Sequence, residues 1–189
     1  MTTRILGIDP GLTRCGVGVI DLLASRKVSL VSVSVLRSDP SSNLVDRIGI
    51  VADALEVLIQ THKPSVIAIE RVYSDANVRS VMGTAQISGV AMFLAHKYGI
   101  PVAMHTPTEV KAAVTGSGRA DKQQVGNMVA RILGLSEVPK PADAADSLAI
   151  AICHGWRSFG ASQPAAGQLT AAQRTWHAAA QAAAAKREG

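Results

Sequence analysis

Asp9 and Glu70 each close an apolar run, inside Ile8-Asp9-Pro10-Gly11 and Ile67-Ala68-Ile69-Glu70. Asp143 and Asp146 stand at i and i+3 of an apolar helical stretch that opens after Pro141, so they share one helix face. Acids set among Ile, Val and Ala are costly unless they are paired or bound to a cation. If adjacent parallel strands carry Asp9 and Glu70 to one sheet edge, and the helix packs there, four carboxylates converge. Hard oxygen ligands in that number suit Mg2+, with Mn2+ as a substitute. Two such ions about 4 Å apart activate water and stabilise the leaving oxygen of a phosphoryl displacement. Each acid also has a plainer reading. Asp9 before Pro-Gly fits an ordinary turn acid, and Asp143 and Asp146 suit the N-terminal end of a helix dipole. Glu70 resists that treatment, because Glu is a poor strand former.

Lys122 follows the loop Gly116-Ser117-Gly118-Arg119 and adjoins a helix start, a good place to meet a phosphate. Lys111 and Lys122 also fit solvated helix positions, and Tyr73 fits the edge of a core. Glu109 is accounted for as a capping acid. His62, His96, His105, His154 and His177 show no ligand spacing, and Cys15 and Cys153 read as small apolar fillers.

The elements that must position these residues follow from period and punctuation. Residues 5–9 and 15–21 read as a hairpin about Pro10-Gly11, and the β-branched run 28–36 as a third strand. Asp39-Pro40-Ser41-Ser42 signals a turn and a helix start, after which Leu44, Ile48, Val51, Leu55 and Leu58 recur at helical spacing. Residues 65–70 read as a buried strand, 78–98 as a long helix stopped by Gly99, and 101–105 as a fifth strand. Thr106-Pro107-Thr108-Glu109 is a capping box that opens a short helix to about Val114. Asp121 caps another through Leu133, and Pro141 opens a last one over 142–156. Antiparallel strands followed by parallel crossovers predict an α/β fold, a mixed five-stranded sheet flanked by helices. Residues 1–157 form the expected domain. From Phe159 the composition turns to Gly, Ser, Pro and Ala, so 158–189 reads as an Ala-rich basic tail, flexible or marginally helical.

Composition excludes other classes. Aromatics are only 3%, too few for a module that stacks bases on rows of rings. Two cysteines exclude a disulfide scaffold and a four-thiolate zinc site. The net charge is +5, of which residues 157–189 contribute +3 through Arg157, Arg174, Lys186 and Arg187 against Glu188. The body is therefore only mildly basic, weak support for a nucleic-acid partner. Without a secretory signal or a membrane-spanning run, a cytoplasmic protein with no membrane partner is expected.

Ile8-Asp9-Pro10-Gly11-Leu12, Gly16, Glu70-Arg71-Val72-Tyr73, Gly116-Ser117-Gly118 with Lys122, and Ala142-Asp143-Ala144-Ala145-Asp146-Ser147-Leu148-Ala149 together resemble the RuvC family of Holliday junction resolvases over about residues 4–156. The resemblance implies an RNase H-like fold, a homodimer, and Mg2+-dependent paired nicking of four-way junction DNA that leaves 5′-phosphate and 3′-hydroxyl ends. It assigns Asp9, Glu70, Asp143 and Asp146 as metal ligands to two ions, and Lys111 and Lys122 to the scissile phosphates. Tyr73 is assigned to stacking on junction bases, where the family often has Phe. Arg79 and Arg119 are further candidates for DNA contact, and the RuvA and RuvB branch-migration proteins are the implied partners.

Three other readings fit parts of the pattern. Asp9-x-Gly11-x-Thr13 also suits a sugar-kinase or actin-type ATPase, but the chain is too short for the second domain that closes over a nucleotide. A non-catalytic junction binder has no use for four acids beside phosphate. An RNase H-like nuclease acting on RNA is set aside only by the family resemblance.

Overall fold

The computed structural model describes residues 2–71 and 78–161, with the side chains of residues 78–80 and 159–161 left aside. Met1–Arg157 cluster as one compact unit and Ser158–Gly189 as another. In chain order the elements are β1 (Thr3–Asp9), β2 (Arg14–Leu22), β3 (Val28–Arg37), α1 (Leu44–His62), β4 (Val66–Glu70), α2 (Val78–Lys97), β5 (Val102–His105), α3 (Pro107–Thr115), α4 (Lys122–Leu133) and α5 (Ala142–Ala161). The five strands form one sheet in the order β3-β2-β1-β4-β5. β1, β2 and β3 pair antiparallel, while β4 lies parallel to β1 and β5 parallel to β4. The mixed sheet expected from the sequence is the one observed.

Period-two alternation divides the sheet into two faces. Leu6, Ile8, Val17, Val19, Ile67 and Ile69 pack with Val51, Leu55 and Ile59 of α1 and Ile87, Ala91 and Leu94 of α2. Ile5, Ile20 and Ala68 pack with Val110 of α3, Val125 and Val129 of α4, and the apolar body of α5. The same alternation turns Asp9 and Glu70, two residues beyond members of the second set or their glycine neighbour, toward the α5 face.

α5 lies unusually close to the sheet, and glycine makes that possible. A Cβ on Gly7 would sit 2.3 Å from the Ser147 carbonyl oxygen, and one on Gly16 only 2.1 Å from that of Asp143. Gly16 is the register partner of Asp9. The close approach therefore brings the first turn of α5 beside the end of β1.

Helix boundaries follow local chemistry. Thr106 and Asp121 close full capping boxes with Glu109 and Gln124. α1 starts later than the Asp39–Ser42 signal: Asn43 is its N-cap, accepting from the Asp46 backbone N–H, while Asp39 Oδ1 accepts from Ser41 N–H. The Asx turn spends the Asp39 side chain locally, leaving the cap to the next suitable residue. α5 runs to Ala161 rather than ending at Trp156. Extending a formed helix adds one hydrogen bond per residue ordered, which outweighs the weak local propensity of this stretch. Residues 162–189, read from sequence as the rest of the tail, lie outside the described residues.

Candidate active site

The β1–β4 register pairs Ile8 with Ile69, so the next residues, Asp9 and Glu70, end side by side at the same edge of the sheet. Both line one cavity of about 220 Å³ with Asp146 of α5, Lys111 and Val110 of α3, Pro107, and Lys122 and Val125 of α4. Asp143, one turn earlier on α5, lines a different cavity, though its charge is felt at Asp9. All four acids are partly buried. Lys122 Nζ donates to Asp146 Oδ2 at 3.1 Å, and Arg14 Nε reaches Asp143 Oδ2 at 3.2 Å.

The electrostatics are those of a site short of positive charge. Burial, then the like charges of Glu70, Asp146 and Asp143, push the Asp9 carboxyl up to about 7, with only Lys122 acting against them. Glu70 is raised by burial and by Asp146, with Lys122 and Lys111 opposing. Lys122 is held above its ordinary value, chiefly by Asp146. Partly buried carboxylates that repel one another at a sheet edge are a set of hard oxygen donors suited to a divalent cation. Among the described residues no three ligand groups are already closed around one point. Instead Lys122 and Arg14 occupy Asp146 and Asp143, doing in part what a cation would do.

The Asp9 shift gives a pH test. A carboxyl raised in the folded state binds more protons folded than unfolded between about 4 and 7, so metal-free stability falls as pH rises through that window. His105 and His154, whose values are lowered mainly by burial, act oppositely below about 6.5. That contribution cancels in a comparison with Asp9→Asn. The melting temperature of Asp9→Asn minus that of the parent, in EDTA, is expected to grow by several degrees from pH 5 to pH 8. A difference independent of pH would remove Asp9 from the repelling cluster.

The other sequence candidates are dispersed. Arg119 is exposed and lines a separate cavity with Thr115, Ser117 and Gln124. Tyr73 lies outside the described residues, and so does the side chain of Arg79, whose backbone belongs to α2. Cys15 and Cys153 are buried and free. Two features escaped the sequence reading. His105 of β5 and His154 of α5, far apart in sequence, meet with ring nitrogens 3.2 Å apart. Arg14 pairs with Asp143; its place five residues after Asp9, at the head of the next strand, was the available signal.

A mixed sheet with half-buried carboxylates at the ends of β1 and β4, joined by acids from a helix across its face, is the arrangement of an RNase H-like nuclease. A family model, "Crossover junction endodeoxyribonuclease RuvC", matches residues 5–154. The crossover junction endodeoxyribonuclease RuvC of Leifsonia xyli subsp. xyli is 54% identical over 192 residues, covering 95% of this chain and 92% of the relative. That of Clavibacter michiganensis is 61% identical over 155 residues, 82% of this chain and 77% of the relative. Among solved structures, T. thermophilus RuvC in complex with Holliday junction substrate superposes with a TM-score of 0.80 at 30% identity, over 85% of this chain and 97% of that one. The yeast mitochondrial Holliday junction resolvase Ydc2 shares the fold, with a TM-score of 0.60 at 18% identity over 84% of this chain and 81% of that one.

The chain belongs to the RuvC family of crossover junction endodeoxyribonucleases. It is a hydrolase of phosphodiesters in the Holliday junction resolvase class, and nucleases of this family use divalent metal. No helix among the described residues is long and apolar enough to cross a membrane.

Proposed function

We propose that the chain resolves four-way junction DNA by paired symmetric nicks, with Asp9, Glu70, Asp143 and Asp146 as the ligands of two Mg2+ ions, Mn2+ able to substitute. The observation that carries this reading is the mutual repulsion of partly buried Asp9, Glu70 and Asp146 around one cavity that two lysines also line. Bound there, the ions would supply an activated water and neutralise charge at the leaving oxygen. The water oxygen forms the new bond to phosphorus, the bond to the 3′ oxygen breaks, and the products are a 5′-phosphate and a 3′-hydroxyl. Lys122, freed from Asp146, offers its ammonium to the charge growing on the phosphate. Lys111, which lines the same cavity, neutralises phosphate there. Arg119 contacts DNA from its separate cavity, and Tyr73 and Arg79 meet bases and backbone at the junction.

Incubating the protein with a synthetic four-way junction and a matched duplex, in Mg2+ or in EDTA, tests the reading. Symmetric nicks in the junction alone, and only with metal, are expected. Equal cutting of the duplex, or cutting in EDTA, would sink it.

A homodimer is part of the proposal. Ile87, Ala91, Leu94 and Ala95 of α2 are spent on the protein's own core, yet Met82, Met92 and Phe93 on the same helix are 54%, 41% and 63% exposed. They follow one another at helical spacing with small Ala85 and exposed Gly89 between them, an apolar stripe that a second copy of α2 covers about a two-fold axis. A four-way junction is itself roughly two-fold, so two sites would face two symmetric strands. Light scattering should give about 39 kDa, twice the 19.6 kDa of the chain. Phe93→Asp should shift that mass toward the monomer, and a mixed dimer with one Asp9→Asn subunit should nick one strand only. A monomer that cuts both strands in one encounter would refute the arrangement. Family membership also suggests RuvA and RuvB as partners and the cytoplasm as the place of action.

A further inference from the structure

Apart from the acid cavity there is a second one of about 480 Å³ that none of the roles above uses. Its lining comes from residues 11–14 of the β1–β2 connection, from Pro40 and Arg47, from Gly83 and Thr84 of α2, and from Asp143, whose charge acts on Asp9. Two guanidinium groups line it, and they are held differently. Arg47 is anchored by neutral partners: Nε donates to Oγ of buried Ser38 at 3.1 Å and Nη2 to Oγ1 of Thr13 at 2.8 Å. It makes no ion pair among the described residues; Asp39 is the acid near enough to feel its charge. Arg14 is 54% exposed and reaches Asp143 through Nε.

An exposed ion pair of this kind adds little to stability, and an arginine braced by two hydroxyls without a carboxylate is a cation kept available. Planar guanidinium forks with a hydroxyl alongside match the oxygens of a phosphodiester. Asp143 lines this cavity and its charge is felt at Asp9 of the acid cavity, so a phosphate held here lies near the one being cut. On the strength of the nuclease reading, we infer that Arg14 and Arg47 seat the backbone phosphate next to the scissile one on the same strand. Arg14 passes from Asp143 to that phosphate when Asp143 is engaged by a cation. The two are positioning residues. They set the register of the strand over the carboxylates and leave the bond-breaking step to the acid cavity.

The test uses junctions carrying one methylphosphonate at a time, scanned across the nucleotides flanking the cut. Binding is measured in Ca2+ and in EDTA, and single-turnover nicking in Mg2+, for the parent protein, Arg14→Ala, Arg14→Lys and Arg47→Ala. For the parent, neutralising one flanking phosphate should weaken binding in Ca2+ about tenfold. Arg14→Ala and Arg47→Ala should each weaken binding to the unmodified junction about tenfold and lower the slope of log K against log salt by about one. Both should lose the response to that one methylphosphonate, and Arg14→Lys should keep part of it. The Arg14 loss should shrink in EDTA, where Asp143 retains its partner. Alanine variants that still respond to every methylphosphonate as the parent does would overturn the inference. If Arg47→Ala fails to fold, because it braces Thr13 and Ser38, the Arg14 series decides alone. A parent protein that neither binds nor cuts the junction would instead overturn the nuclease reading on which the inference rests.

Discussion

Asp9→Asn is expected to slow junction nicking by about a thousandfold while junction binding survives or tightens. The substitution keeps the shape of the side chain and removes a charge that lines the acid cavity, where Asp9 feels Glu70, Asp146 and Asp143 together. A divalent cation then loses one of its strongest reasons to bind, whereas the phosphates of the DNA lose a repulsive neighbour. Glu70→Gln, Asp143→Asn and Asp146→Asn should behave alike, though Asp143 lines a different cavity. Single-turnover nicking in saturating Mg2+, with gel-shift binding in parallel, separates the two effects. Any of the four variants that cuts at the normal rate removes its residue from the site.

Gly16→Ala should lose stability and activity together although it alters no polar group. The new Cβ would lie 2.1 Å from the Asp143 carbonyl oxygen and 2.8 Å from its carbonyl carbon, both backbone atoms that no rotamer change can move aside. Either β2 or the first turn of α5 must shift. Overpacking of this kind costs about 1–3 kcal/mol. Displacing Asp143 and Asp146 from Asp9 by about an ångström is enough to lower nicking roughly a hundredfold. Gly49→Ala is the control. It lies within α1 with nothing inside 4 Å of the added methyl, so it should stabilise the protein by about 0.5–1 kcal/mol and leave nicking unchanged. A Gly16→Ala protein with the parent's melting temperature and rate would show that the α5 contact does not set the site.

Read alone, the residues determined a good deal of this protein. Alternation and helical spacing are local properties of a chain, and they placed the five strands and five helices of the described residues. The capping box at Thr106, the cap at Asp121 and the stops at Gly99 and Gly134 are equally local, because a side chain within three residues or a positive φ settles them. Acids at the ends of two apolar runs, with two more at i and i+3, were enough to expect a cation site, and motif order pointed to the family. Tertiary structure decided what lies between elements. It joined His105 to His154, set Arg14 on Asp143 and Lys122 on Asp146, and left Met82, Met92 and Phe93 of α2 uncovered while α5 vanished into the core. Those outcomes depend on which helix face meets which strand and how closely, and no pattern within one segment encodes them. The glycines show the division well. Gly7 and Gly16 are visible in the sequence as two small residues in two strands, but only the descent of α5 onto them, to a distance no side chain would permit, explains why the carboxylates of a helix and a sheet edge meet.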